Sequence, residues 1–188
     1  MEKEIQKADP QNWLQLYGDV LYQYCLPRVN DSAAAEDIVQ DTFFSALKGI
    51  KGYKGEASEK NWLFAILKNK IIDYYRKKAA KQAVTASGVF NDSDDAWFNE
   101  AEQWRNKTEA REWHISNNPS ERKELQAIIN LCKDGLKELS QQVFTLKYME
   151  DLSSETICKV LNISSSNYWV LLHRARLQMR GCVEKNWL

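Results

Sequence analysis

Only 7 glycines and 3 prolines interrupt 188 residues, so the chain lacks the frequent turn signals that a strand-rich sandwich requires. What recurs instead is apolar residues at helical spacing, and the expected fold class is all-α. Trp13, Leu16, Tyr17, Val20, Leu21, Tyr24 and Cys25 outline a first amphipathic helix, ended by Pro27 and the Asn30-Asp31-Ser32 cluster. A second helix runs from about Ser32 to Leu47, with Ala35, Ile38, Val39, Thr42, Ala46 and Leu47 on its buried side. Its polar stripe, Asp37, Gln40, Asp41 and Phe44, keeps the same spacing on another face. Acids there are normal for a solvated face; Phe44 raises the alternative of a partner surface.

Gly49, Gly52 and Gly55 fall within seven positions and mark a loop. A long helix follows from about Ser58, a plausible N-cap, to Ala80. Leu63, Ile66, Leu67, Ile71 and Tyr74 form its apolar stripe; Trp62, Asn69, Asp73, Arg76 and Lys77 share a different face, with Lys68 and Tyr75 beside it. A basic helix with aromatics on its exposed side can neutralise phosphates and stack unpaired bases. Periodicity is lost from about Gln82 to Asn117, yet this acidic stretch holds Trp97, Phe98, Trp104 and Trp113, which a purely solvating linker would not carry.

Asn118-Pro119-Ser120-Glu121 reads as a helix start. Leu125, Ile128, Ile129 and Cys132 are the stripe of that helix, and Gly135 ends it. Ser140 then caps a helix carrying Val143, Phe144, Leu146 and Tyr148, and Ser153 caps a short one with Ile157, Val160 and Leu161 inward. Asn162-Ile163-Ser164 is a turn, and a last helix reaches about Glu184. Two helices joined by a three-residue turn, the second bearing Arg174, Arg176 and Arg180, match a helix-turn-helix rather than an ordinary helical hairpin.

Charge and cysteines narrow the function. Net charge is zero, but Lys68 to Lys81 holds six basic residues against Asp73, and Asp92 to Glu112 holds seven acids against three bases. The N-terminus has no apolar signal segment, and no run approaches the roughly 20 apolar residues of a membrane span, so the expected location is cytoplasmic. Cys25, Cys132, Cys158 and Cys182 lie far apart without zinc-site spacing and are expected to be free, buried thiols. His114 and His173 have no nucleophile or metal partner in sequence, so no catalytic residues, metal or cofactor are expected.

Two blocks carry a family resemblance. Ala35-Glu-Asp-Ile-Val-Gln-Asp-Thr-Phe43, Tyr53-Lys-Gly-Glu-Ala-Ser58, Asn61-Trp-Leu63, Ile66-Leu-Lys-Asn69 and Ile72-Asp-Tyr-Tyr-Arg76 resemble region 2 of bacterial RNA polymerase sigma factors, in the extracytoplasmic-function (ECF) group of the sigma-70 family. Leu139-Ser-Gln-Gln-Val-Phe144 and Leu172-His-Arg-Ala-Arg176 resemble region 4. The resemblance implies two small helical domains and no region 1.1 or region 3: region 2 over 1–81, a linker over 82–117 and region 4 over 118–188. It implies that Asp37, Gln40, Asp41 and Phe44 dock on core polymerase. It places Tyr53, Lys54, Gly55, Ser58, Trp62, Phe64 and Asn69 at an unpaired base of the −10 element, with Lys68, Arg76 and Lys77 on the non-template strand.

By the same resemblance, Ser165, Ser166, Asn167, Trp169 and Val170, then His173, Arg174 and Arg176, meet duplex DNA at the −35 element. Two departures stand out. Glu59 occupies a position where the family often has an aromatic, and Trp169 and Leu171 replace residues that are commonly basic. The reading helix then relies on apolar contact, for example with thymine methyls, or else Trp169 packs inward. The group also implies an anti-sigma factor as partner. The alternatives are a helix-turn-helix regulator that binds duplex DNA without polymerase, and a recombinase-like enzyme, which fails for lack of a nucleophile or acidic metal cluster.

Overall fold

The computed structural model describes residues 8–85 and 118–187, with only the backbone of 82–85; the aromatics Trp97, Phe98, Trp104 and Trp113 lie outside the described residues. Among these residues there are seven α-helices and no strand: α1 (Trp13–Val29), α2 (Ser32–Gly49), α3 (Glu59–Thr85), α4 (Pro119–Asp134), α5 (Glu138–Tyr148), α6 (Ser154–Leu161) and α7 (Ser165–Trp187). Short 3-10 turns at Pro10–Asn12 and Ile50–Gly52 precede α1 and follow α2.

Local chemistry explains most boundaries. The Asp31 carboxylate accepts from the Ala34 N–H at 3.0 Å and caps α2. The Asn118 side chain accepts from Ser120 N–H at 3.0 Å, with Pro119 at the first turn of α4. Ser153 caps α6 through the Thr156 N–H at 3.3 Å, and Asn162 ends it in the left-handed region at φ 53°. The expected cap at Ser140 is not one: α5 begins at Glu138, and Ser140 is buried inside it. α3 runs on to Thr85, past the Ala80 end that the apolar stripe suggests, because nothing between breaks a helix.

α1, α2 and α3 pack on one another, α5 and α6 pack on α7, and α3 lies against α6. One core therefore spans both groups. It includes Trp13, Leu21 and Cys25 of α1, Leu63, Leu67, Ile71 and Tyr75 of α3, and Val143, Leu146, Ile157 and Leu172 of the helix-turn-helix. A smaller cluster, with Leu125, Cys132, Met179 and Val183, fastens α4 to the end of α7.

Several stripe assignments change. Leu16 and Val20 of α1 and Leu47 of α2 are exposed rather than buried. Tyr75, expected beside the basic face of α3, is 3% exposed, and its hydroxyl donates to the Arg28 carbonyl. In a long helix, positions one residue apart differ by about 100°, so the wall that Tyr75 meets decides which of Tyr74 and Tyr75 is inside.

The expectation of free thiols fails for two of the four cysteines. Cys132 of α4 and Cys182 of α7 form a disulfide with Cα atoms 5.7 Å apart, while Cys25 and Cys158 are free. Burial pushes the Cys25 thiol up to about 12, which keeps it protonated and unreactive. The disulfide closes a separation of 50 residues, and cross-links of that span stabilise by about 2–4 kcal/mol. Reduction, or Cys182→Ser, is therefore expected to lower the melting temperature of the C-terminal half by roughly 10 °C or more; differential scanning calorimetry with and without reductant reads this.

Candidate nucleic-acid and polymerase interface

Three surfaces gather the sequence candidates. On α2, Asp37, Gln40, Asp41 and Phe44 are all exposed on one face, Phe44 at 61%. Leu47, 47% exposed one turn on, extends the stripe in a way its apolar spacing conceals. Asp37 and Asp41 also border a cleft of about 300 Å³ against Lys70, Asp73 and Lys77 of α3. Lys70 reaches Asp41 at 3.9 Å, a half-exposed pair that contributes little to stability. It does leave acids and bases alternating along the groove between α2 and α3.

The second surface is built where the chain enters α3. Gly55, at φ 69°, takes the left-handed conformation that a β-carbon disfavours, and the Tyr53 hydroxyl closes the turn on the Ala57 carbonyl at 2.6 Å. Ser58 caps α3 through the Asn61 N–H at 3.3 Å. Tyr53 and Trp62 lie with ring centroids 4.9 Å apart, and Trp62 meets Trp13 edge-on at 5.8 Å. Lys54 stands exposed beside them.

Glu59 holds this aromatic row in place. Its carboxylate accepts from the Trp13 indole N–H at 3.0 Å, the Tyr17 hydroxyl at 3.4 Å and the Asp9 backbone N–H at 2.5 Å. Burial and the Glu59 charge raise the Tyr17 phenol above its ordinary value, so it remains a donor. The departure noted in sequence at Glu59 is thus a buttress. Trp13, read from its stripe as core alone, belongs to the row; only the contact across 46 residues reveals that.

Lys68, Asn69, Arg76 and Lys77 are exposed along α3, and Arg76 pairs with Asp73 at 2.5 Å. Phe64 does not join them. It is half-buried and packs edge-on against Tyr24, with centroids 5.1 Å apart, on a different side of the helix from Trp62.

The third surface is α7. Ser165, Ser166, Trp169, Val170, His173 and Arg176 are exposed, Asn167 and Arg174 half-buried, while Tyr168, Leu171, Leu172 and Ala175 point into the core. Trp169 is 55% exposed, touching Tyr168 edge-on at 5.0 Å, so it does not pack inward. Leu171 is 6% exposed and is no part of the exposed face. Arg176 donates through Nε to the Tyr148 hydroxyl, its guanidinium 5.6 Å from that ring's centroid. Tyr148, missed in sequence because it sits in the stripe of α5, is thereby brought to the same edge. Among the described residues, no group of three or more His, Cys, Asp or Glu could hold a metal, and no helix is long and apolar enough to cross a membrane.

Comparison with known proteins identifies the family. Sigma-70 region 2 matches residues 13–81, and Sigma-70 region 4 matches residues 126–179. A probable RNA polymerase sigma factor of Haemophilus influenzae is 34% identical over 158 residues, covering 84% of this chain and 81% of its own length. The chain belongs to the RNA polymerase sigma factors, in their ECF group. The ECF sigma factor SigM of Bacillus subtilis is 28% identical, with 89% and 90% of the two chains covered. The sigma factor RpoE of Bartonella quintana, solved in complex with the anti-sigma factor NepR, is 18% identical over 93% and 96%, with a TM-score of 0.43.

As a sigma factor the protein serves promoter-specific transcription initiation by core RNA polymerase and is not an enzyme. The polymerase-independent regulator gives way to this reading. The region 2 match encloses the α2 stripe and the Glu59 aromatic row, and the region 4 match encloses the exposed face of α7.

Trp13 is 2% exposed, so removing its acceptor strands a buried N–H, at a cost of about 1–3 kcal/mol. Glu59→Ala is expected to destabilise by that amount, while Glu59→Gln, which keeps an acceptor oxygen, costs markedly less. Urea melts of the two variants make the comparison; equal loss in both would show that charge, not the indole hydrogen bond, is what counts.

Proposed function

We propose that the three surfaces divide the work of promoter reading. The stripe Asp37, Gln40, Asp41 and Phe44 docks on core polymerase, its exposed Phe44 providing the apolar anchor that a polar rim surrounds. The Tyr53–Trp62 pair, over the Gly55 turn, receives an unpaired base of the −10 element, with Lys54, Ser58 and Asn69 at its margins. Lys68, Arg76 and Lys77 hold the backbone of the melted strand. Phe64 serves this site from behind, by packing on Tyr24.

The face of α7 enters the major groove at the −35 element: Ser165, Ser166, Asn167, Trp169 and Val170 meet base edges, while His173, Arg174 and Arg176 meet phosphates. The proposed domain bounds are 1–81 for region 2, 82–117 for the linker and 118–188 for region 4; the proposed location is the cytoplasm, under the control of an anti-sigma factor. The observation that carries the reading is the aromatic row at the foot of a basic helix, in one chain with an exposed helix-turn-helix.

Purified protein mixed with core polymerase is expected to give promoter-dependent transcript on a linear template library. Tight palindrome binding by the protein alone, with no complex with core, would sink the proposal. Trp62→Ala is expected to impair open-complex formation, by permanganate footprinting, with core affinity unchanged, since one stacked base is worth about 1–3 kcal/mol. Trp169→Ala should leave the melting temperature within a degree or two, because the side chain is exposed. It should weaken −35 duplex binding roughly tenfold in electrophoretic mobility shifts, matching about 1–3 kcal/mol for a good base contact.

A further inference from the structure

Promoter reading gives no role to the bond between Cys132 of α4 and Cys182 of α7. In the cytoplasm, the proposed location, glutathione and thioredoxin-type dithiols keep thiols reduced, and a disulfide that forms there is usually transient and catalytic or redox-sensing. The bond also sits where its state matters. α4 packs mainly on α7, through a small cluster with Leu125 and Cys132 on one side and Ala175, Met179 and Val183 on the other. This cluster is separate from the main core, so the cross-link is a large part of what holds α4 down.

The two sulfurs differ in access. Cys132 is 3% exposed, whereas Cys182 is half-buried, and a β-carbon at neighbouring Gly181 would meet nothing beyond its own helix within 4 Å. A reagent therefore reaches Cys182 first. The Asn186 side chain, one turn further along α7, donates through Nδ2 to the Cys182 carbonyl at 2.7 Å and to Cys182 Sγ at 3.6 Å. A donor on this sulfur favours the thiolate over the thiol, and the thiolate is the nucleophile. The Cα atoms are 5.7 Å apart, inside the span of about 4.4–6.8 Å that a disulfide bridges. The pair can thus close or open with both helices at rest; opening it changes how often α4 leaves α7. Cys25, by contrast, is enclosed by the main core, with its thiol pushed up to about 12.

We propose that Cys132 and Cys182 form a reversible thiol–disulfide exchange site, with Cys182 as its nucleophile and Asn186 as the residue that activates it, and that oxidation clamps α4 on α7. The oxidant is a low-molecular-weight disulfide. The Cys182 thiolate attacks one of its sulfurs, forming a mixed disulfide and releasing one thiolate. Cys132 then gives its proton to solvent and attacks Cys182 Sγ, which closes the protein disulfide and releases the second thiolate. Two protein thiols are oxidised, and one small disulfide is reduced to two thiols. A dithiol reductant runs the steps in reverse, entering at Cys182. The clamped stretch of α7 includes Ala175, between Arg174 and Arg176, so the redox state is registered on the helix proposed to meet DNA.

Full-length protein is equilibrated near neutral pH in glutathione buffers, from fully reduced to excess glutathione disulfide, and differential alkylation with peptide mapping reads each cysteine. Cys132 and Cys182 are expected to change state together and reversibly, while Cys25 stays a thiol throughout. Amide hydrogen exchange of α4 is expected to be roughly tenfold faster in the reduced form, a factor equivalent to about 1.4 kcal/mol. Cys182→Ser should exchange at the reduced rate in every buffer. If that variant loses helix by circular dichroism, Asn186→Ala decides, since Asn186 is exposed: it should reach the same end point with oxidation several-fold slower. A pair that stays oxidised in reduced glutathione, or stays reduced in excess glutathione disulfide, would overturn the site. So would equal α4 exchange in the two forms, or an oxidation rate indifferent to Asn186.

Discussion

The column Leu63, Leu67, Ile71 and Tyr75 on α3 is the contact on which the rest of the structure hangs. Each residue is almost fully excluded from solvent, and they succeed one another at four-residue steps, so one side of a long helix is committed to packing over three turns. Burying aliphatic side chains of this size contributes about 1.5–3 kcal/mol each. Because α1 and α2 meet this helix and α6 meets it as well, the same column organises the α1–α3 module and its docking to the helix-turn-helix. The opposite side is then obliged to stay polar, and Lys68, Asn69, Arg76 and Lys77 occupy it.

Apolar contact alone would not fix how two modules sit on such a spine, since it has no directional preference. The polar groups at the seam supply direction. Glu150 is buried with three donated hydrogen bonds converging on or next to it, and Lys133 is buried with the Pro27 carbonyl and the Asp134 carboxylate, 3.1 Å away, as its partners. A charge left alone in such a place is strongly penalised, whereas the satisfied group is close to neutral in net stability. These groups therefore add little to the depth of the docked state and much to its geometry. Tyr24 shows the same environment: burial, followed by the Glu150 charge, pushes its phenol up to about 12.

What could be read from the sequence was what is local. The caps at Asn118 and Ser153, the turn at Asn162 and the helix-turn-helix need only neighbours within a few residues, and the structure has them as expected. Sequence spacing also put Phe44 on a face where it is exposed, whereas for Trp169 the sequence left inward packing open and the structure exposes it. One local expectation, the cap at Ser140, fails because α5 starts earlier, at Glu138; the stripe failures share a cause, which is that a helical stripe tells which residues point together but not where a neighbouring wall stops. Leu16, Val20 and Leu47 extend beyond the wall, and Tyr75 meets a second one contributed by α5. Glu59 on Trp13, Cys132 on Cys182 and Arg28 on Glu150 span 46, 50 and 122 residues. No periodicity encodes such pairs.

The exposed face of α7 illustrates why the exposed apolar residues are informative here. A folded chain gains by hiding Trp169 and Val170, and the adjacent Tyr168, Leu171 and Leu172 are hidden with relative exposures of 6% or less. That inward set already closes the core of the helix-turn-helix, so there is no packing role left for Trp169 to fill. A tryptophan held at 55% exposure on the solvent side of a packed helix costs solubility without contributing to the fold. Its position beside Ser165, Ser166 and Asn167, on the helix whose later turns carry Arg174 and Arg176, is what supports the proposed base-edge contact. Under that proposal, fewer cations among the base-facing residues leave a larger share of discrimination to shape and methyl contact. Salt would then govern chiefly the proposed phosphate contacts further along the helix.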